Sequence, residues 1–222
     1  MVTEIENQKD TKSQNRNALH IVVMAFGVLC GITGIIAGVF EMLQGNIPIN
    51  GFEISTIGFE YEMAADFTYY AVSLAPTFLI SGILACVFSF ATLFWSIKYV
   101  DGRFGTTILF VLCISQMLVG GGWVIDIALI TCILATRINT PLNWWQRNLP
   151  EGSRLWFKKL FPISVLVFAL ISGAMLVLTV IGVNSQLMID ALSPLAGLMF
   201  LPILLMIFGA IATDIQNPLI VQ

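Results

Sequence analysis

The sequence predicts an all-α integral membrane protein, a polytopic bundle of about six membrane passes with a short extended outer loop. Composition is the first reason. Hydrophobic residues make up 58% of the chain and charged residues 10%, with a mean hydropathy of +0.92, whereas about a quarter of a soluble domain is charged. Length is the second reason, because 222 residues accommodate about six spans of ~20 residues in one domain. The third reason is the placement of the basic residues.

All ten Lys and Arg residues precede the first apolar stretch or lie in two later polar breaks, and segment 44–68 has none. Lys and Arg in short loops stay on the cytoplasmic side of a membrane. The pattern therefore predicts an even number of passes through the cell membrane, with both termini cytoplasmic. The basic residues are Lys9, Lys12, Arg16, Lys98, Arg103, Arg137, Arg147, Arg154, Lys158 and Lys159.

The chain divides into a flexible polar cytoplasmic tail (1–19), a single transmembrane helical domain (20–214) and a short C-terminal tail (215–222). The first span is predicted at 20–42. Its apolar run is longer than the ~7–15 residues of a signal peptide, so we interpret it as an uncleaved signal anchor.

Residues 104–136 carry a single charge and are too long for one ordinary span. As one helix they would extend ~50 Å, well beyond a ~30 Å hydrocarbon core. The triplet Gly120, Gly121 and Gly122 predicts a break, because glycine disfavours helix interiors and permits the positive φ of a tight turn. We therefore expect two short helices, either thin spans or a re-entrant hairpin, at 104–119 and 123–137.

Two further spans are predicted at 160–183 and 194–213. Pro194 suits a first helical turn, whereas Pro202 lies mid-span and should kink its helix. An outer loop containing Asn184, Ser185, Gln186 and Asp190 is expected between them.

The inner segment 139–159 is predicted to lie at the membrane surface. Indole rings prefer the headgroup layer, and each cation near an anionic leaflet contributes about 1 kcal/mol. The segment either fixes the depth of the next span or docks lipid headgroups or a cytosolic partner. Its interfacial anchor residues are Trp144, Trp145, Arg147 and Trp156.

The outer loop 44–68 precedes a second span predicted at 71–97. Partial apolar–polar alternation over 51–63 predicts a short extended hairpin. Its carboxylates form either a solvated acidic cap or a cation site, since hard cations bind several oxygen ligands. Glu41 and Asp126 are expected near the same surface. The candidate metal ligands are Glu53, Glu60, Glu62 and Asp66.

Asp126 and Gln116 lie on opposite sides of the glycine turn and form a candidate ion or transport site, because ionisable residues inside spans are costly and often functional. Alternatively, the helix dipole favours a carboxylate at this N-terminal position, which makes Asp126 a helix-start residue at the water interface. No second buried acid or base is expected in any span, which weakens a proton-relay hypothesis.

Four glycines share one face of the first span and allow another helix to approach closely. The partner helix belongs either to the same chain or to another copy or membrane protein. The glycines of this face are Gly27, Gly31, Gly34 and Gly38.

Metal and nucleotide chemistry find little support in the sequence. The four cysteines lie within predicted spans without a CxxC spacing, and His20 is the only histidine. Walker A, GxGxxG and HExxH motifs are absent. We expect no cofactor and no nucleic-acid partner, with the lipid bilayer as the main partner.

Three motifs carry a resemblance: GFEISTIGFEYEM followed by DFTYY, the turn LVGGG, and ATRINTPLNWW followed by LP. Over roughly residues 45–165 the chain resembles an uncharacterised family of prokaryotic multi-pass membrane proteins. The resemblance implies a shared fold and brings no activity, cofactor or catalytic residue.

Three functions stay open. The first is a non-enzymatic accessory or assembly component of a membrane system, consistent with the lack of a catalytic constellation. The second is a small transporter or channel, with Asp126 and the glycine break at its outer mouth. The third is a membrane enzyme that acts on lipid through the outer-loop carboxylates.

Overall fold

The structure is a computed structural model that describes residues 18–56, 70–102, 104–121, 125–138, 140–182 and 186–216. At residues 70, 125–126, 179–182, 186–193 and 216 it describes the backbone alone. Most of the two predicted tails lies outside these ranges.

The described chain is mostly helical, with one small sheet. In chain order the elements are α1 (Ala18–Leu43), β1 (Glu53–Ser55), β2 (Tyr70–Val72), α2 (Phe78–Lys98), α3 (Gly105–Met117), α4 (Ile125–Ala135), α5 (Asn143–Asn148), α6 (Glu151–Gly182) and α7 (Gln186–Gln216).

Four helices are long and apolar enough to cross a membrane: α1, α2, residues Glu151–Leu178 of α6 and residues Pro194–Ile215 of α7. Helices α3 and α4 have 13 and 11 residues. At ~1.5 Å per residue they extend about 20 and 17 Å, short of a ~30 Å core. The fold is therefore a helical bundle with four candidate spans, and the two short helices account for the difference from six passes.

Polar contacts join the start of α1 to the ends of two other helices. Asp214 of α7 accepts hydrogen bonds from the backbone N–H groups of Ala18 and Leu19, at 2.7 and 3.1 Å. His20 Nδ1 lies 2.9 Å from Asp101, just after α2. Three helix ends thus meet at one end of the bundle, which we call the basic end.

The described basic side chains follow this arrangement. They lie on the ends of α2 and α4, on α5 and at the start of α6. Rings of α5 and α6 pack on Phe208 of α7, which places these elements near the end of α7. The basic residues at this end are Lys98, Arg137, Arg147, Arg154, Lys158 and Lys159.

The predicted interruption between the two short helices is present. Helix α3 ends at Met117, Gly120 adopts a φ of +88°, and α4 begins at Ile125. The Thr106 hydroxyl at the start of α3 donates to the carbonyl of Ala135 at the end of α4, at 3.1 Å. The two helices are therefore antiparallel, and the glycine turn lies at the opposite end from the basic residues. We call this second end the capped end.

Extended structure is present in the outer loop, but its pairing differs from the predicted hairpin. Strand β1 pairs antiparallel with β2, with Ile54 opposite Ala71. The predicted second span, 71–97, is therefore wrong at its start, and α2 begins at Phe78. Pro76 disfavours helical backbone at the residue before it, and the Thr77 hydroxyl accepts a hydrogen bond from the backbone N–H of Ile80.

Two other predicted boundaries also require correction. Residues 151–159 form the first turns of α6 instead of a separate surface segment, because Pro150 precedes the helix, where a missing N–H costs nothing. Helix α7 begins at Gln186, so Gln186 and Asp190 belong to the helix instead of the predicted outer loop, and Pro194 lies inside the helix and not in its first turn. Asn184 and Ser185 lie outside the described residues. Neighbouring structure can satisfy the backbone groups that such a proline frees in a membrane helix.

The glycine face of α1 packs on α2. At each of the four positions an added Cβ would overlap an atom of α2. A Cβ added at Gly38 would lie 2.7 Å from the carbonyl oxygen of Gly82, so the two backbones are in direct contact. This face is therefore covered within one chain (Gly27, Gly31, Gly34 and Gly38).

Candidate functional site: a buried carboxylate beneath the glycine turn

Glu41 lies in the last turns of α1 at the capped end, and 0% of its surface is exposed. Neither carboxylate oxygen makes a well-oriented hydrogen bond within the described residues; the Ser81 hydroxyl lies nearby but is directed to the carbonyl of Val119. An ionised carboxylate in an apolar interior is strongly unfavourable unless it is paired. Ionisable groups buried in membrane helices are therefore candidate functional groups, and Glu41 is the strongest one in the described chain.

The Glu41 carboxylate packs against the backbone of the glycine turn. A Cβ at Gly120 would overlap both carboxylate oxygens. The φ of Gly120, +88°, also lies in a region that L side chains rarely adopt. Its N–H donates to the carbonyl of Val72 at 2.9 Å. Position 120 therefore requires glycine both for its conformation and for its contact with Glu41.

Two buried serines connect the glycine turn to the segment before α2. The Ser81 hydroxyl donates to the carbonyl of Val119 at 2.9 Å and lies 2.7 Å from the Ser73 hydroxyl. The backbone N–H of Leu74 donates to the carbonyl of Leu118 at 2.9 Å. These bonds hold residues 70–77 and 118–121 together over the carboxylate, and we call these two segments the cap.

Gln116 forms a second polar layer, deeper in the bundle. Its Nε2 donates to the carbonyls of Cys30 and Gly121, at 2.8 and 2.7 Å. Its Oε1 and the buried Ser89 hydroxyl have no partner among the residues that the structure describes. Both side chains adjoin Gly34, where an added Cβ would overlap them. Gly34 and Glu41 are seven residues apart and share one face of α1.

A cavity of about 30 Å³ lies between α1, α3 and α4 beside Gln116. One water needs roughly 10–15 Å³ of such space and several polar partners. The cavity therefore accommodates one or two waters, whereas drug-sized ligands occupy about 300–1,000 Å³. Polar atoms of its wall come from Cys30, Thr33, Cys113, Gln116 and Cys132.

The sequence provides no basic partner for Glu41. Lys and Arg are absent from 17–97, from 104–136 and from 160–222. These ranges include every described segment at the capped end. The only histidine, His20, lies beside Asp101 at the basic end. Within the described residues, no basic side chain therefore neutralises the Glu41 anion.

The surroundings of Glu41 suit a positive charge. Helices α1 and α3 both end beside it, and helix C-termini carry partial negative charge. In membrane proteins, broken helices often supply such ends to bound Na⁺ or H⁺. Chemically, the site can hold a proton or a small cation, with a polar amide and room for water one layer below.

The predicted acidic cluster is only partly visible. Glu53 lies on β1 and is exposed, while Glu60, Glu62 and Asp66 lie outside the described residues. Within the described ranges, no group of three or more His, Cys, Asp or Glu side chains is arranged to hold a metal ion.

The predicted contact between Gln116 and Asp126 falls on a side chain outside the described residues. Asp126 lies in the first turn of α4, but its side chain is outside the description. The Gln116 amide nitrogen bonds instead to backbone carbonyls on both sides of the cavity. Gln116 is thus a buried polar residue at the centre of the bundle.

The predicted interfacial residues lie at the basic end. Trp144 and Trp156 are 65% and 56% exposed, whereas Trp145 packs edge-on against Phe208 of α7 at 5.7 Å. Arg147 lies in the last turn of α5 and is also exposed. These side chains are far along the bundle from Glu41.

The expectation that no second acid is buried in a span is wrong. Glu41 is fully buried in α1, and Asp214 lies within the candidate span of α7. The sequence placed Glu41 near the end of its span, which is typical of a residue at the water interface. Its burial depends on the cap, whose segments are distant in sequence. The sequence feature that could have indicated this burial is the position of Glu41, seven residues after Gly34 on the glycine face of α1.

The chain matches no family model, no curated protein and no solved structure. The candidate site therefore rests on the contacts of this chain alone.

Proposed function

We propose that the protein is a six-pass cell-membrane protein with both termini cytoplasmic, and that it is a small transporter or channel for a cation. The gathering of all described basic side chains at one end supports the orientation, since such residues stay cytoplasmic. The antiparallel arrangement of α3 and α4 supports an even number of passes. The burial of Glu41 without a positively charged partner among the described residues supports cation binding, and it is the observation that carries the proposed function.

The size of the site restricts the class of substrate. The cavity beside Gln116, about 30 Å³, fits water and ions but not a sugar, an amino acid or a lipid. A cation that enters from the capped end would meet Glu41 first and the Gln116 layer second.

Reconstitution tests this function. The full-length protein is incorporated into phosphatidylcholine–phosphatidylglycerol vesicles, and the fluxes of H⁺, Na⁺ and K⁺ are measured separately. We expect flux of one cation above that of protein-free vesicles, and we expect Glu41→Gln to reduce it to that background. The matched control is Glu53→Gln, which removes an exposed carboxylate at the same end and should leave the flux unchanged.

Asp126→Asn separates the two candidate carboxylates in the same assay. Loss of flux in this variant, with Glu41→Gln unaffected, would move the site to Asp126. Absence of flux in all variants would contradict a transport function.

A second candidate function, a non-enzymatic accessory component, is favoured by the exposure of α6. In the most apolar stretch of α6, 17% of the residues are buried within the chain, compared with 61% in α1. A partner membrane protein would cover this helix. Site-directed photocrosslinking from position 170, where Leu170 is 64% exposed, should then yield a discrete protein adduct in native membranes, and adducts with lipid alone would contradict it.

A further inference from the structure

We propose that the cation held by Glu41 is a proton, so that the closed state of the bundle carries Glu41 as a neutral carboxylic acid beneath the cap. This inference deepens the proposed function and rests on it for the role of the proton in transport. The protonation of Glu41 itself stands on the geometry of the site.

The first argument is the lack of space for a metal ion. Metal cations such as Ca²⁺ need about six to eight oxygen ligands around them. The backbone of Gly120 is in contact with both carboxylate oxygens, to the point that a Cβ would overlap them. Among the described residues the Ser81 hydroxyl lies near the carboxylate but makes no well-oriented hydrogen bond with it, and one hydroxyl does not supply a ring of ligands. A proton requires neither additional volume nor a ring of ligands.

The second argument is charge. Among the titratable groups on the elements packed around Glu41, the described neighbour is the Cys86 thiol of α2, which is not a cation. Glu53 on β1 is exposed, and Glu60, Glu62, Asp66 and Asp126 lie on segments whose side chains are not described. All of these are acids, and an acid cannot neutralise a carboxylate. A bound proton removes the charge without a partner.

The third argument is the polar layer that Gln116 forms below Glu41. Gln116 offers an unpartnered amide oxygen next to a cavity of water size. Water in such a cavity can accept and pass on a proton, whereas a metal ion would need to shed its hydration shell. Below the cavity, Phe26 of α1 and Leu109 of α3 are fully buried in an apolar core. In this state a proton therefore has no polar path from the cavity through the apolar core formed by these described residues towards the basic end.

The cap provides the route for exchange with the solution. Its contacts with Glu41 are made by a turn that the Ser81 hydroxyl and the Val72 carbonyl hold in place. Movement of residues 118–121 away from β2 would open the carboxyl group to water and allow the proton to leave. The proton then moves from the carboxylic O–H to water, and the carboxylate becomes an exposed anion.

Carbodiimide labelling tests the proposal on the purified full-length protein in detergent. A protonated carboxyl group in an apolar site adds across a C=N bond of dicyclohexylcarbodiimide to give an O-acylisourea, which rearranges to a stable N-acylurea without loss of atoms. We expect peptide mass spectrometry to find the adduct on Glu41 and to find less of it as the pH rises. Glu41→Gln removes the adduct, and Glu53→Gln leaves it unchanged.

The same labelling in the presence of Na⁺ or K⁺ distinguishes a bound proton from a bound metal cation. Protection of Glu41 by either ion at constant pH would overturn the proposal in favour of a metal cation. Infrared difference spectra of wild type and Glu41→Gln provide a second measurement that does not depend on access of the reagent. We expect a C=O band of a protonated carboxyl group that shifts in D₂O, and the absence of that band would overturn the proposal.

The failures of the two proposals are distinguishable. If Glu41 is protonated but the protein shows no ion flux, the proton site is supported and the transport function is contradicted. If Na⁺ or K⁺ flux depends on Glu41 and the same ion protects Glu41 from labelling, the transport function is supported and the proposal of a bound proton is contradicted.

Discussion

Helices α1 and α2 pack backbone against backbone at four glycines of α1, whereas α6 and α7 approach this closely at Gly209 and also pack through large side chains. At the α1–α2 interface Gly38 and Gly82 bring the two helices into direct contact. In the α6–α7 hairpin the Phe157 and Phe208 rings stack at 5.4 Å, and Ser172 lies near the sulfur of Met199.

The two regions also differ in polar content. The α1–α4 region buries Glu41, Gln116 and a row of hydroxyl groups on α2, while α6 faces outward along most of its length. Between helices in lipid, close packing and hydrogen bonds replace the hydrophobic effect as the source of stability. We therefore expect the α1–α4 region to tolerate little change in volume or polarity and the hairpin to tolerate much more.

The largest effect is expected from Gly120→Ala. A non-glycine residue at positive φ costs about 1–2 kcal/mol, and overpacking against the Glu41 carboxylate adds about 1–3 kcal/mol. Thermal unfolding in detergent should show a large loss of stability. The matched control is Gly197→Ala in α7, where an added Cβ meets nothing within 4 Å. Equal stability of the two variants would show that the turn is not packed on Glu41.

Gly31→Ala tests the interface between α1 and α2. The new Cβ would lie 2.5 Å from the Leu93 Cβ and 3.0 Å from the Ser89 carbonyl oxygen. Because a backbone oxygen cannot rotate away, the helices must separate, at a cost of about 1–3 kcal/mol. The control is Gly173→Ala in α6, which has open space and should gain helix stability of up to about 1 kcal/mol. Urea or SDS unfolding of both variants measures the difference, and a neutral Gly31→Ala would contradict the close approach.

Much of this architecture could be predicted from local sequence. The first span, predicted at 20–42, lies within α1, because an apolar run of that length has few alternatives. The break near Gly120 also follows from local sequence, since consecutive glycines destabilise a helix wherever they occur. The described basic residues lie at one end of the bundle, as expected from their spacing between apolar runs.

Pairing across the sequence could not be predicted in the same way. Apolar composition predicts residues 71–77 in a span, yet Ala71 and Val72 pair with β1, and Val72 and Leu74 bond to the glycine turn. Apolar composition does not distinguish a short strand from the first turns of a helix. The burial of Glu41 depends on Gly120, far along the chain, so no local pattern around Glu41 could reveal it.

Gln116→Leu tests the deeper polar layer. The substitution removes the hydrogen bonds to the carbonyls of Cys30 and Gly121. The Cys30 carbonyl still accepts from the Thr33 hydroxyl, whereas the buried Gly121 carbonyl loses its side-chain donor, which costs about 1–3 kcal/mol. Thermal unfolding should detect this loss, while Gln146→Leu on the exposed surface of α5 should be close to neutral. Full stability of Gln116→Leu would indicate that these carbonyls find other donors, such as water in the adjacent cavity.

Asp214→Ala tests the connection between the two regions and is expected to have the smallest effect. Its carboxylate accepts hydrogen bonds from the first two N–H groups of α1, so a residue of α7 acts as the N-terminal cap of α1. Loss of such a cap costs about 0.5–2 kcal/mol. Asp214→Asn retains one acceptor oxygen and should lose less. Hydrogen exchange should show faster exchange at Ala18 and Leu19 in Asp214→Ala, with the glycine-turn amides unchanged because they lie at the opposite end. Faster exchange at both ends would instead mean that the two regions unfold as one unit.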